Sequence, residues 1–210
     1  MITVYAFRSL PPIVRGYVRD IRVRWALEEA GLSYEQKLIT QDDQKTESYR
    51  ALQPFGQVPV FEEDGLVLFE SGAIVHHIAQ RSEALMPSAS DVAGRARVLQ
   101  WMFAALNSIE PVVQQLTEID LFHADKPWAK ERKPMLVERL DGRLGGLSRR
   151  LDGRDYLEGR FTAADVLMGH VLRFMRDELD RFSVLAAYRK RCEARPAFQK
   201  ALADHLAAFG

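Results

Sequence analysis

The sequence predicts a small α/β domain followed by an all-helical one. Three observations carry this. Strand-like alternation is confined to the part of the chain before residue 83. Residues 83 to 90, EALMPSAS, hold Pro87, Ser88 and Ser90 with no periodicity and read as a linker. After them every apolar pattern recurs at three and four residues, the spacing of one helix face. The expected division is therefore 1–82, a linker at 83–90, and 91–210.

Residues 2 to 7, ITVYAF, are β-branched and aromatic and read as a short buried strand. The prolines and glycine of RSLPPIVRGY forbid a regular element until about Gly16. From there to Ala30, Val18, Ile21, Trp25 and Ala26 recur at helical spacing, and Gly31 stops the helix as a C′ glycine. Ser33 to Ile39 alternates as a second strand. QDDQKTESYRALQP is polar, with one weak helical turn ended by Pro54. Two apolar runs follow, Val58 to Phe61 and Leu66 to Phe69, joined by Glu-Glu-Asp-Gly. Asp-Gly between such runs signals a hairpin, since glycine supplies positive φ at no steric cost. Ser71 to Arg81 is a helix with Ile74, Val75 and Ile78 on one face. The order β-α-β, short α, β-β-α implies a mixed sheet, because a βαβ unit needs a parallel pair.

In the second half, Asp91 can cap a long helix whose apolar stripe is Val92, Ala96, Leu99, Phe103 and Leu106. Pro111 kinks or ends its first stretch. Met135 or Leu136, then Leu140, Leu144, Leu147 and Leu151, form a second stripe. Val166, Leu167, His170, Val171 and Phe174 form a third. Shorter helices fit 181 to 194 and 196 to 209.

The formal net charge of the 210 residues is zero, which removes the global electrostatic case for nucleic acid or an anionic membrane as partner. Cys192 is the single cysteine, so neither an internal disulfide nor a Cys-rich metal site is available. His76 and His77 are adjacent and point to different helix faces, so they make no i,i+4 metal pair. No metal is expected. No apolar run approaches the ~18 residues that span a bilayer. MITVYAFRSLPP lacks a basic segment followed by an apolar one, so no secretory signal is read and the cytoplasm is the expected location.

Two constellations carry chemistry. Val58-Pro59 sets a proline, which cannot donate to a ladder, at the start of a strand. Either it blocks pairing at a sheet edge, or a cis bond holds the Val58 amide open for an extended peptide. Glu70-Ser71 stands where a helix begins. Ser71 can be a plain N-cap, or its hydroxyl and the free N–H groups can hold a carboxylate while Glu70 pairs with an ammonium. A carboxylate beside an amine is the α-amino-acid end of a peptide.

Together, the strand-helix-strand start, Gln57-Val58-Pro59, the hairpin and Glu70-Ser71 resemble the glutathione-binding domain of cytosolic glutathione transferases. Arg22-Val23-Arg24-Trp25-Ala26-Leu27-Glu28-Glu29-Ala30-Gly31 resembles that family's first helix. Phe161-Thr162-Ala163-Ala164-Asp165 is similar to the capping box of its buried helix, and Tyr188 to Phe198 to its C-terminal helix. The capping box stands on its own chemistry: Thr162 and Asp165 satisfy each other's backbone N–H, with Phe161 and Val166 as a hydrophobic staple, so both are folding residues.

The resemblance implies a thioredoxin-like N-terminal domain (βαβαββα) followed by an all-α domain. It implies glutathione as co-substrate and a homodimer joined through the first helices of the second domains. Val58 would pair with the cysteinyl backbone across Pro59, Gln57 would stand beside it, and Glu70 and Ser71 would hold the γ-glutamyl end. Gln44 or Lys45 would meet the glycyl carboxylate. The reaction implied is attack of the glutathione thiolate on a small hydrophobic electrophile, with Ile13, Trp101, Met102, Ala105 and Ile109 as candidate walls. The alternatives are a glutathione-fold binding module without turnover, or a glutathione-dependent isomerase or lyase.

A thiol of pKa ~8.5 is only a few per cent ionised at neutral pH, so a hydroxyl donor near the sulfur is needed. The loop between the first strand and first helix offers Ser9 and Tyr17. Counting forward from the strand reaches Ser9; counting back from the helix favours Tyr17. Arg15, Arg19 and Arg22 would line one face of the helix if it starts early, and Arg19 is the candidate neighbour of a thiolate. Arg22 is expected to bridge to Glu28, Asp20 or the second domain. His170 reads as a core histidine and Cys192 as a small buried residue.

Overall fold

The structure, a computed structural model, describes residues 1–175 and 177–209. The strands are β1 (Ile2–Phe7), β2 (Tyr34–Ile39), β3 (Val60–Glu63) and β4 (Leu66–Phe69). The helices are α1 (Asp20–Ala30), α2 (Glu47–Arg50), α3 (Ser71–Ala79), α4 (Val92–Phe103), α5 (Glu110–Glu118), α6 (Pro127–Leu151), α7 (Ala163–Leu172), α8 (Ser183–Glu193) and α9 (Pro196–Ala207). They form two compact units, Met1–Ser88 with Ala194–Gly210, and Ala89–Glu193.

The first unit is a four-stranded mixed sheet in the order β2-β1-β3-β4. β1 runs parallel to β2, with Ile2 opposite Tyr34 and Phe7 opposite Ile39. It runs antiparallel to β3, with Tyr5 opposite Val60. The hairpin to β4 turns on Asp64 and Gly65 at φ +50° and +85°, the paired positive values that match strand twist. β3 begins at Val60 rather than Val58, since Pro59 brings no N–H to the ladder. α1 begins at Asp20 rather than Gly16. A 3₁₀ turn, Pro12–Val14, precedes it, and Gly16 at φ +84° is left-handed. Gly31 closes α1 at φ +66°, its N–H reaching the Glu28 and Leu27 carbonyls.

The C-terminal helix departs from the expected division: α9 belongs to the first unit, not to the helical one. The Trp25 ring of α1 meets Phe198 of α9 edge-on at 4.9 Å between centroids. Arg195 binds Glu29 with Nη2–Oε2 at 2.7 Å, and Lys200 Nζ lies 2.9 Å from Glu28 Oε1. A helix that follows a helical run in sequence thus closes the face of α1.

In the second unit α4 starts as expected, with the Asp91 carboxylate accepting the Gly94 N–H at 2.8 Å. Its buried face is a different one. Val98, Met102, Ala105 and Ile109 are buried, the last two on a π-helical continuation, Ala104–Ile109. Val92 is 73% and Phe103 55% exposed. Two apolar stripes of three-and-four spacing lie side by side on this helix, and packing against α7 selects one. Pro111 stands at the start of α5, directly after the π-helical stretch that joins it to α4. On α6 the stripe starts at Leu136 and runs through Leu140, Leu144, Leu147 and Leu151. α7 is buried over all ten residues, His170 included.

The capping box at the start of α7 forms, and Asp165 gathers more than that helix end. Its Oδ2 accepts the Thr162 N–H at 2.9 Å and the Thr162 hydroxyl at 3.0 Å. Its Oδ1 accepts the Leu157 N–H at 3.0 Å and the Tyr188 hydroxyl at 2.8 Å. One carboxylate so joins α7, α8 and the turn before α7. Burial pushes its pKa up to about 6 while these donors oppose the rise.

Asp165→Ala is expected to cost about 3 kcal/mol of unfolding free energy by urea titration, from the lost cap and stranded donors. The pH dependence has a defined sign. A folded-state pKa above the ordinary carboxylate value of 3.8 favours folding while the group is protonated, and that contribution is lost as pH rises through about 6. The stability advantage of wild type over Asp165→Asn should therefore shrink between pH 4 and 7. A difference that grows over this range would contradict the assignment.

Candidate functional site

The first unit brings the two predicted constellations to one end of the β3–β4 hairpin, just before Val60 and just after its partner Phe69. The Val58-Pro59 peptide bond is cis. The Val58 side chain is buried in a cluster with Tyr5, Ile39, Tyr49 and Val60. Its amide has no strand partner in the sheet, because β3 pairing begins at Val60. Just before it, the Gln57 carbonyl accepts the Tyr49 hydroxyl at 2.7 Å. The Gln57 side chain is exposed. The segment is anchored by an inward side chain and a fixed carbonyl, and its main chain is left out of the ladder.

Glu70 is the N-cap of α3, at φ +69° and ψ 111°, a conformation costly for a residue with a Cβ. It is exposed and makes no side-chain cap bond. Ser71 is then the first helical residue and not a plain N-cap, which removes that alternative. It is 4% exposed, and its Oγ accepts from Arg22 Nη1 at 3.2 Å. The first-turn N–H groups of a helix have no intrahelical acceptor. Here they carry no side-chain cap, and a buried guanidinium stands behind them. This is a field for an anion, with the Glu70 carboxylate beside it.

The polar loop after β2 is reached through Gly56. At φ +62°, a Cβ on this residue would lie 2.8 Å from the Gln44 carbonyl oxygen and 3.9 Å from Arg50 Nη2. Gln44 is therefore packed against the segment that leads into Gln57 and Val58. Lys45 is exposed and pairs with Asp42 at 2.9 Å. That pair is solvent-facing and weak, so it does not lock the lysine.

In the loop after β1, Ser9 is exposed and its carbonyl accepts Gln41 Nε2 at 2.8 Å. Tyr17 is half-buried, its N–H on the Val14 carbonyl at 3.1 Å. With α1 starting at Asp20, Tyr17 stands beside the positive end of the helix, and Ser9 is separated from it by the Pro12–Val14 turn. The three arginines do not line one face. Arg15 precedes the helix, donates to the Leu10 carbonyl at 3.0 Å and lies over the Phe209 ring at 5.1 Å. Arg19 is the half-buried N-cap. Asp20 is met by Arg24 at 2.8 Å and by His205 at 3.0 Å, and Arg22 reaches Ser71.

Of the candidate walls, Met102, Ala105 and Ile109 are buried in the helical unit. Trp101 donates to Glu158 at 3.1 Å, and Ile13 is exposed. Cys192 is buried, and His170 stacks edge-on to Phe174 at 5.5 Å. Among the described residues no three metal-ligating side chains gather.

Sequence reasoning did not assign Arg22 to Ser71, nor place Arg50 beside Gly56. A contact across 49 positions leaves no local signal. The glycine ahead of Gln57 was the one available hint of a close approach.

Residues 13–80 match the family model of the glutathione S-transferase N-terminal domain. A glutathione S-transferase of Arabidopsis thaliana is 31% identical over 147 residues, covering 65% of this chain and just under two thirds, 66%, of that protein. A glutathione S-transferase of Hyoscyamus muticus is 32% identical over 210 residues, covering 87% of this chain and 92% of that protein. The chain belongs to the glutathione S-transferase family. A solved glutathione transferase of Burkholderia graminis, with two glutathione molecules bound per subunit, superposes with a TM-score of 0.82. It is 28% identical and covers 96% of this chain and 87% of that one. The thioredoxin-like first unit and the helical second unit are those of a glutathione S-transferase.

Two substitutions separate fold from site. Gly56→Ala should destabilise by about 2 kcal/mol in urea unfolding, since it adds a strained φ and a clash with a backbone carbonyl. Glu70→Gly should leave stability unchanged or raise it by up to about 1 kcal/mol, because it relieves a left-handed residue. A marked loss at Glu70→Gly would mean that its side chain, and not a ligand, is what holds that conformation.

Proposed function

We propose that this chain binds glutathione along the ends of β1 and β3 and transfers it to a small hydrophobic electrophile. The observation that carries the reading is the uncapped start of α3 at Ser71, backed by the buried Arg22 guanidinium. That arrangement suits the α-carboxylate of a γ-glutamyl group. Glu70 pairs with its ammonium. Val58 exchanges main-chain hydrogen bonds with the cysteinyl residue, as an extended peptide does at a free strand edge. Gln44, with Arg50 nearby, meets the glycyl carboxylate; Lys45 lies in the same turn and adds charge after leaving Asp42.

The sulfur then lies by the β1–α1 loop, where the Tyr17 hydroxyl donates to it. A hydrogen bond to the charged form, with the helix dipole behind, lowers a thiol pKa from ~8.5 toward neutrality. Ser9 is the alternative donor, and Arg19 adds positive potential. The thiolate forms a bond to an electrophilic carbon, the leaving group departs with its electron pair, and the thiol proton passes to solvent. Supporting a homodimer, Val92 and Phe103 leave an apolar α4 face uncovered. No helix among the described residues is long and apolar enough to cross a membrane.

Calorimetric titration with glutathione tests the site. Ser71→Ala should weaken binding about tenfold or more, as for a lost hydrogen bond to a charged group. No binding by the wild type would overturn the proposal. Tyr17→Phe should raise the apparent pKa of the bound thiol by about 1 unit, read from thiolate absorbance, while Ser9→Ala leaves it unchanged. The reverse would assign Ser9. Phe103→Glu should shift the protein to a monomer in light-scattering measurements, and a wild-type monomer would remove the dimer.

A further inference from the structure

The helix that closes the first unit also grips the loop that carries Tyr17. The Gly16 N–H donates to His205 Nε2 at 3.2 Å. The other ring nitrogen, Nδ1, lies 3.0 Å from Asp20 Oδ2. Asp20 Oδ2 also accepts from Arg24 Nε at 2.8 Å, and Arg24 Nη2 donates to Gln36 Oε1 on β2 at 3.0 Å. His205, Asp20 and Arg24 are each no more than 1% exposed. The ring face of His205 meets Phe209 edge-on at 5.0 Å, and the same Phe209 ring underlies Arg15. Both residues that precede Tyr17, Arg15 and Gly16, are thus held by the last turn of α9 and its following residues.

The bonds define the ring's state. A nitrogen that accepts a backbone N–H carries no proton, so Nε2 is bare. The remaining proton is on Nδ1 and is donated to the Asp20 carboxylate. His205 is then a neutral imidazole of one tautomer, oriented by a carboxylate that Arg24 fixes in turn. Gly16, at φ +84°, is the point where the loop bends, so fixing its amide fixes where Tyr17 stands. A buried backbone N–H needs an acceptor, and here that acceptor comes from 189 positions away.

We propose that His205 is a positioning residue for thiol activation: it holds the Gly16 amide and thereby sets the Tyr17 hydroxyl against the glutathione sulfur. This deepens the functional reading above and rests on it for the role of Tyr17. His205 makes no contact with the reacting atoms in this scheme. It acts at the thiol end of the site and leaves the γ-glutamyl end, at Ser71, untouched.

The test compares His205→Leu, His205→Gln and Phe209→Leu with wild type in two measurements. The first is hydrogen exchange of the Gly16 amide without any ligand. It should be protected in wild type, freed at least about tenfold by His205→Leu, and largely retained by His205→Gln, whose amide oxygen can accept in place of Nε2. The second is glutathione titration with thiolate absorbance against pH. His205→Leu should keep glutathione affinity within about threefold but raise the apparent pKa of the bound thiol by about 1 unit, roughly tenfold less thiolate at neutral pH. His205→Gln should recover most of that, and Phe209→Leu should move in the same direction by less. Combining His205→Leu with Tyr17→Phe should add nothing further.

An unprotected Gly16 amide in wild type overturns the proposal. So does a thiol pKa in His205→Leu equal to that of wild type, or one that rises additively with Tyr17→Phe. If wild type binds no glutathione, the functional reading falls and the role in activation with it. The exchange measurement needs no glutathione and decides separately whether α9 clamps the loop. Should His205→Leu fail to fold, His205→Gln and Phe209→Leu carry both measurements.

Discussion

The contact between Arg22 and Ser71 governs the first unit. A guanidinium carried into the interior is costly unless its donors are matched, and one acceptor that Arg22 reaches belongs to the first residue of α3. Sliding α1 against α3 would break that directional bond, so it helps to register the two helices. The backbone at Glu70 follows from it. The chain must leave β4 and turn at once to bring Ser71 over the arginine, and it does so through a left-handed residue. The electrostatics of the proposed anion site therefore come from the same charge that registers the helices.

Buried polar groups play the same part elsewhere. In the second unit Asp165 gathers donors from Leu157, Thr162 and Tyr188, and so fixes where α7 begins and how α8 lies on it. In the first unit Asp20 is held by Arg24 and His205, which ties α1, β2 and α9 to the loop at Gly16. Apolar burial of Trp25 against Phe198 draws α9 onto α1 without choosing its register. The directional bonds choose it, because an unmatched donor or charge in the interior is penalised in every other register.

Legibility in the sequence divides along this line. Features decided within a few residues were readable: the Asp64-Gly65 turn, the Gly31 stop, the Asp91 cap, the Thr162–Asp165 box and the leucine stripe of α6. The Val58-Pro59 and Glu70-Ser71 pairs were readable as candidates, because proline in a strand and a polar pair at a helix start are local anomalies. Features decided by packing were not. The stripe chosen on α4 was Val98 and Met102, since two stripes of equal period lie on that helix and only α7 distinguishes them. Met102, Ala105 and Ile109 looked like pocket walls and are core for the same reason. The start of α1 slipped to Asp20 because Gly16 took a left-handed conformation that its place after a helical pattern did not announce.

The sequence by itself determined the order of elements, the two helix caps, the hairpin and the short segments proposed to hold an extended peptide. Each depends on dihedral preferences and hydrogen bonds that close within one turn. The tertiary structure alone decided that α9 closes the first unit, that Arg22 stands behind Ser71 while Arg24 takes Asp20, and that His205 meets the Gly16 amide. Those pairings join residues far apart along the chain. Many donors and acceptors of the right type exist for each, and only the folded backbone brings one of them within 3 Å or so of its partner.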